Sequence, residues 1–519
     1  MKFIKLLSLA LALCLLLSAA ALASGEAADT FTPSDFTEMI DMTAWQYNES
    51  ADVYWQVGIT YCSTPADVSF ENMGIFVPGA YFTAEPNGDG TYTCEVNTAG
   101  ELCGYTAETA PIVIPVNTPG HKSMDAPTGY SSGVTQYCNA GFVYVFAGCR
   151  SSKESGMPVG VVDLKAAIRY VRHNSDTLPG STDRIFVFGM SGGGSQSAVL
   201  GASGNSELYD PYLQAIGAVD ESDAVAGVMA WCPITGLDSV DLGHEWSMGI
   251  TRTDLTEDMQ AVSDALAYAY ADYVNQMNFT DADGTVLTLE ESDTGIYQAG
   301  TYYDYLLDII ETSLEHYLVD NTFPMDGYDT PQDYIDSLNG DDPWIEYDAA
   351  SGEVSIRSIY DFSLHCKVAT KPVAAFDKLD EGGHQMFGYG DGESSHFDAV
   401  LYDIIRGTDY EAEFAEDFAR TDDQGNTVQQ RLQLFSPLYY LSPANDGYGT
   451  TDIASFWRIR SGISQSDTPL TSEVNLMLGL RQSGIEADFE TVWALGHTEA
   501  ERTGDSDTNF IAWVNDCLA

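Results

Sequence analysis

Residues 184–204 read "RIFVFGMSGGGSQSAVLGASG". An apolar run enters a glycine, Ser191 follows among three more glycines, and a run of small residues with helical character comes next. Three roles fit such a stretch: a nucleophilic serine, a loop that cradles a phosphate, or a plain turn. Residues 189–193, "GMSGG", match G-x-S-x-G, in which a strand turns sharply into a helix and holds the serine in a strained conformation. Side chains at the flanking glycines would collide with neighbouring segments. The turn lifts Oγ above the sheet and sets the Gly192 N–H beside it, at a helix N-terminus that favours negative charge. The phosphate-loop reading fits less well. Gly192, Gly194 and Ser197 approximate G-x-G-x-x-G, but a serine replaces the last glycine and this strand does not open the alternating series.

A serine hydroxyl needs a base, and the base needs an orienting acid. His497, in "VWALGHTEAER", follows the last expected strand, where the chain order Ser…Asp/Glu…His puts the base. Asp467, in "FWRIRSGISQSDTPL", follows the preceding strand and is the expected acid; the same stretch also reads as a helix start. Asp238, Asp241 and Glu245, after "WCPIT", are fallback acids. The second oxyanion N–H is expected from "NTPGHKS": Pro119 has none, which leaves Asn117, Thr118 or Gly120, with Asn117 or Thr118 favoured. His121 and His244 are candidates to line the site.

The elements that must position these groups form an alternating series. "YWQVGITYC" and "NMGIFVPG" read as paired strands. "APIVIPVN", "GFVYVFAGC", "RIFVFG" and "VAGVMAWCPI" are short, continuous apolar runs, as expected of strands buried on both faces. "VGVVDLKAAIRYVRHN" has helical spacing, with Val161, Leu164, Ala167 (or Ile168) and Val171 on one stripe. Strands separated by helices predict a mostly parallel sheet covered on both sides, an α/β fold. From residue 235 to 450 the rhythm changes to Tyr- and Asp-rich helical stretches, with "DADG" and "AASG" marking hairpins. The sheet pattern resumes with "FWRIRSG", "SEVNLMLGLRQSG", "ADFETVWALG" and a closing helix in "TNFIAWVNDCL". The expected organisation is a signal peptide over 1–24, a core over 25–234, a large insertion over 235–450, and the rest of the core over 451–519.

The bulk numbers restrict the setting. Lys2 and Lys5, an Ala- and Leu-rich run and "ALAS" form a secretory signal pattern with cleavage near Ala23 or Ser24. No later run approaches the ~20 apolar residues of a membrane span, so no membrane anchor is expected and the mature chain is read as secreted. Lys and Arg total 21 against 78 Asp and Glu, a net charge of −57 that loss of the two leader lysines takes to −59. Such a field repels nucleic acid and anionic membranes. Of nine cysteines, Cys14 lies in the leader. Cys94 and Cys103 flank turn residues and are a candidate hairpin disulfide. Cys138 and Cys149 bracket a strand that holds them too far apart to bridge. Cys149 and Cys232 read as buried thiols. No CxxC pair supports structural zinc. "DADGTVLTLE" sets Asp281, Asp283, Gly284 and Glu290 in EF-hand-like order, but Phe279 would occupy the first ligand position, which it cannot serve.

Much of residues 100–519 resembles the bacterial tannase and feruloyl-esterase-like branch of the α/β-hydrolases. The likeness is carried by "DLKAAIRYVRHN", "GSTDRIFVFGMSGGGSQSAVLGASGN", "AWCPITGLDSVDLGHEW", "KPVAAFD" and "RSGISQSDT". It implies an α/β-hydrolase fold with the insertion as a lid, in which a lysine and acidic residues hold a galloyl ring. Lys371, in "KPVAAFD", matches the lid lysine. The glutamate expected fourteen residues on is Gln385. Of two aspartates expected in the last loop, the first, the usual triad acid, is Gln465, and the second is Asp467. The chain thus departs from the gallate pattern at both places, and Asp467 is expected to take the triad role itself.

The expected function is a secreted serine esterase acting on a small-molecule carboxylic ester through an acyl-enzyme, with no metal or organic cofactor. The sequence leaves the oligomeric state open. Two alternatives stand beside this reading: a serine peptidase of the prolyl-oligopeptidase type, whose propeller repeats are missing here, and a catalytically inactive surface-binding protein.

Overall fold

Apolar runs that the sequence sets between helices line up side by side in a computed structural model, which describes residues 38–151, 156–367, 371–381 and 386–519. The expected leader and Gln385 lie outside the described residues. Nine strands form one sheet: β1 Gln46–Asn48, β2 Val53–Thr60, β3 Asn72–Pro78, β4 Pro111–Val116, β5 Val143–Ala147, β6 Ser181–Met190, β7 Gly227–Trp231, β8 Phe456–Gly462 and β9 Asp488–Val492. Their spatial order is β1-β2-β3-β5-β4-β6-β7-β8-β9. The first three strands pair antiparallel, and β3 joins β5 antiparallel. Every later pairing is parallel. The strands β4 and β7, buried at every position, are the continuous apolar runs that a covered parallel sheet requires.

Eight helices matter here: α1 Val159–His173, α2 Gly192–Ala202, α3 Val240–Met248, α4 Glu257–Met277, α5 Thr301–Asp320, α6 Ile359–Cys366, α7 Leu470–Gln482 and α8 Ser506–Leu518. α2 is buried along its whole length, which its run of Gly, Ser and Ala permits by letting it press against the sheet. α1 is nearly as deep and carries charges with it. Its Asp163 accepts from Arg150 Nε and Nη2 at 3.0 and 2.7 Å, and its Lys165 Nζ lies 2.7 Å from Asp223. Buried charges of this kind are retained only when paired.

β7 and β8 are neighbours in register, Gly227 opposite Phe456 and Trp231 opposite Arg460. Residues 232–455 therefore leave the sheet and return to its next position. Among the described residues, the regular structure of that excursion is mainly helical, with a two-stranded hairpin, Ile345–Tyr347 against Val354–Ile356, closed by the "AASG" turn. At "DADG" the Asp281 carboxylate accepts from the N–H groups of Asp283 and Thr285 at 2.9 and 2.8 Å, so it closes a turn. The excursion is tied to the core by Tyr302 Oη to Asn475 Oδ1 at 2.7 Å and by Ser313 Oγ to the Thr491 carbonyl at 3.0 Å.

All eight described cysteines are free thiols. The expected Cys94–Cys103 bridge is not formed. Cys94 is buried in a short strand, Tyr92–Val96, while Cys103 sits exposed on a tight turn at φ 52° with its thiol 3.3 Å from the Asn139 carbonyl. Cys149 and Cys232 are buried, as expected. No described helix is long and apolar enough to cross a membrane.

Candidate active site

Ser191 occupies the turn between β6 and α2 at φ 61°, ψ −122°. A non-glycine residue holds such a conformation only when its surroundings over-determine it. Here the Ser191 N–H donates to the Trp231 carbonyl at the end of β7, 2.9 Å away, and the Ser191 carbonyl receives the first helical bond from Ser195. The glycines permit the crowding. A Cβ on Gly193 would stand 1.9 Å from the Val116 carbonyl oxygen, and one on Gly192 would stand 2.5 Å from the Thr118 oxygen and 2.6 Å from the His121 nitrogen. The loop after β4 thus lies directly over the turn.

His497, on the loop after β9, brings Nε2 to 2.8 Å from Ser191 Oγ. Burial holds its pKa below the ordinary imidazole value; the Asp467 charge opposes this and the Lys371 charge adds to it. The ring is therefore neutral near pH 7 and able to accept the serine proton.

The group that meets the other ring nitrogen differs from the expected one. His497 Nδ1 lies 2.5 Å from Gln465 Oε1, a buried amide on the loop after β8. Asp467 is exposed, and it meets Lys371 through its backbone carbonyl, which accepts from Nζ at 2.6 Å. Its charge reaches His497 only across space. The reason is local: between Gly462 and α7 the chain turns, Gln465 points back under β8, and two residues later the side chain points out. Gln465 Nε2 continues inward, 2.9 Å from Ser461 Oγ and 2.6 Å from Glu473 Oε1 on α7. Burial raises the Glu473 pKa to about 7, against the pull of Lys367, Ser461 and Gln465. Lys367, after α6, is pushed down to about 8 by burial and donates to the Gln465 carbonyl at 2.8 Å. Neither Glu473 nor Lys367 carries a sequence signal, since each sits in an unremarkable helical or loop context.

Of the two favoured candidates for the second oxyanion donor, the Asn117 N–H is taken by Met124 Sδ at 3.2 Å. Thr118 is fully buried, its hydroxyl accepting from Gln196 Nε2 at 3.1 Å and its carbonyl from the His121 N–H at 2.9 Å. The Gly192 N–H opens α2, where the first amides have no acceptor within the helix. His121 rides on the same covering turn, its ring edge-on to Phe435 with centroids 5.6 Å apart.

Lys371 is brought to the same place. Its Nζ lies 3.8 Å from the Phe376 ring centroid, and burial lowers its pKa to about 8. The fallback acids hold its segment instead of the imidazole. Asp241 accepts from the Phe376 and Asp377 N–H groups at 2.6 and 3.1 Å. Glu245 grips Arg252, whose Nη1 donates to the Lys371 carbonyl at 2.8 Å. Asp238 is half-buried, and desolvation raises it to about 6. His244, buried beside Glu245 at 3.5 Å, is held below its ordinary value by burial.

Residues 104–278 match the BD-FAE family model, which is feruloyl-esterase-like. No curated protein matches the chain. Among solved structures, a tannase from Lactobacillus plantarum is 26% identical over 92% of this chain and 98% of its own, with a TM-score of 0.72. A Fusobacterium nucleatum tannase is 27% identical over 90% and 95%, at 0.71. A tannin acyl hydrolase in complex with ethyl gallate is 26% identical over 89% and 94%, at 0.70. With the sheet order and the strand-to-helix turn at Ser191, these likenesses show an α/β-hydrolase fold and an ester hydrolase similar to the tannase and feruloyl-esterase-like branch.

Proposed function

We propose that the protein is a secreted serine esterase that hydrolyses carboxylic esters with an aromatic acyl group. The observation that carries the reading is the 2.8 Å approach of His497 Nε2 to the Oγ of a serine at φ 61°. Ser191 Oγ attacks the ester carbonyl as His497 takes its proton. The N–H groups of Gly192 and Thr118 are the donors this reading assigns to the developing oxyanion. His497 returns the proton to the leaving alcohol, and water, activated by the same imidazole, releases the acid. Residues 235–450 act as the lid. Lys371, a cation beside an aromatic ring, suits a phenolic or hydroxylated ring as the acyl group. The signal pattern in residues 1–24 supports export.

Hydrolysis of a panel of gallate, ferulate, short-acyl and acetylated-sugar esters tests this reading. Turnover is expected on the aromatic acyl esters and lost in Ser191→Ala. Cleavage of dipeptide anilides in preference to esters would favour a peptidase, and no turnover on any ester would contradict the proposal.

A further inference from the structure

Gln465 stands where a serine-hydrolase triad carries a carboxylate, and an amide brings no charge to an imidazolium. A carboxylate is present one step further in. Glu473, fully buried on α7, accepts at Oε1 from Gln465 Nε2 at 2.6 Å and from Ser461 Oγ at 3.1 Å. The other Nε2 proton goes to Ser461 Oγ at 2.9 Å, which leaves Oε1 for His497 Nδ1 at 2.5 Å. We infer that Glu473 is a positioning residue for the ester hydrolysis, locking the Gln465 amide and through it the tautomer of His497. The inference rests on the reading of Ser191 as nucleophile and His497 as base.

The two ends of a glutamine amide are told apart only by their partners. An ionised carboxylate only accepts, so it takes the NH₂ end. The carbonyl end must then face His497, and because it too only accepts, Nδ1 must carry the imidazole proton. Nε2 is left as a lone pair aimed at the Ser191 hydroxyl. During attack the Ser191 proton passes to Nε2, the Nδ1 proton stays, and the new cation rests against a carbonyl oxygen backed by an anion. A neutral group at position 473 can donate as well as accept and removes this preference. The flipped amide would offer NH₂ to Nδ1, draw the proton to Nε2 and disable the base.

The charged and titratable groups around the relay are few. Lys367 faces Glu473 from the end of α6 and favours its ionised form. Cys232, after β7, lies 3.8 Å from Ser461 Oγ with its thiol raised to about 11 by burial, so it is neutral. Asp467 and Lys371 act on His497 with opposite signs. Because burial sets Glu473 to titrate near neutrality, the lock opens as pH falls through that region.

The experiment follows kcat and KM against pH for the wild type, Glu473→Gln and the exchanged double variant Glu473→Gln/Gln465→Glu, which sets a carboxylate directly on His497. Wild-type kcat is expected to fall as pH drops through about 7. Glu473→Gln is expected to lose about 10- to 100-fold in kcat with little change in KM, as wrong-tautomer histidines do to a larger degree, and to lack that acid limb. The double variant is expected to regain most of the loss. Wild-type kcat in Glu473→Gln, an unchanged acid limb, or a double variant no better than the single one would overturn the inference. Should Glu473→Gln not fold, a wild-type acid limb lying only below 6.5 overturns it, and one near 7 supports it. Fluorophosphonate labelling of Ser191 in the wild type is read separately, so failure of the nucleophile reading is distinguished from failure of the relay.

Discussion

His497 Nδ1 donates to an amide oxygen, Gln465 Oε1 at 2.5 Å, while Asp467, two residues along the same loop, faces solvent and offers the site only its backbone carbonyl and its charge. The division separates two functions that one carboxylate usually combines. Gln465 holds the ring. Asp467 and Lys371 tune its proton affinity in opposite directions.

Asp467→Asn is therefore expected to be mild, lowering kcat by less than about 5-fold, because a charge without a hydrogen bond at an exposed site contributes little. The sign of its pH effect is fixed. The Asp467 charge raises the His497 pKa, so its removal lets that pKa fall and moves the imidazole's share of the acid limb of kcat/KM to lower pH. A loss of about 10⁴-fold, as when a direct triad acid is neutralised, would return Asp467 to the triad.

Lys371→Met is expected to act in the opposite sense on pH. The ammonium depresses the His497 pKa, so without it the imidazole's titration moves to higher pH. Loss of a hydrogen-bonding cation from the acyl side is also expected to raise KM for hydroxylated aromatic esters by roughly 10-fold, with short-acyl esters unaffected. Equal effects on both substrate classes would remove Lys371 from the acyl pocket.

Gly193→Ala tests the crowding at the turn. Its Cβ would fall 1.9 Å from the Val116 carbonyl oxygen, a backbone atom with nowhere to move. The expected cost is about 1–3 kcal/mol of stability, typical of forced overpacking, together with loss of turnover. Gly129→Ala, where a Cβ meets nothing within 4 Å, is the control and should melt like the wild type.

Stability should decline from mildly acidic to mildly alkaline pH. Burial raises Glu71, Asp241 and Glu473 to about 7 and Asp238 to about 6. Unfolded, these groups release their protons near pH 4, so between about pH 4 and 7 the folded chain holds more protons and loses stability as pH rises. His244 and His497, held low, work the other way below about 6.5. Repulsion within a chain of net charge −57 adds to the carboxylates' effect. Calorimetry is expected to give a higher Tm at pH 5 than at pH 8; a higher Tm at pH 8 would contradict this account.

The fold was readable where burial leaves an unambiguous pattern. "FWRIRSG" is β8 residue for residue, and "VGVVDLKAAIRYVRH" is α1, because Trp457 and Ile459 alternate with Arg458 and Arg460 at the strand period and α1 carries an apolar stripe at the helical one. The approach of His497 to Ser191 was readable because a strained turn demands glycines and the loop after the last strand returns over that turn. Gln465 and Asp467 were not separable, since a loop has no period to say which side chain points inward. Glu473 looks like any helical glutamate in sequence, and only the packing of α7 under β8 shows what it touches. The Cys94–Cys103 expectation failed for a similar reason: turn residues between two cysteines do not fix which way either thiol points.

The central claim, that Ser191 is the nucleophile, is tested most directly by intact-mass and peptide mass spectrometry after treatment with a fluorophosphonate. One adduct is expected per chain, on the peptide containing Ser191, absent in Ser191→Ala and strongly slowed in His497→Gln. A wild-type protein that stays unmodified while correctly folded, or an adduct that persists in Ser191→Ala, would contradict it.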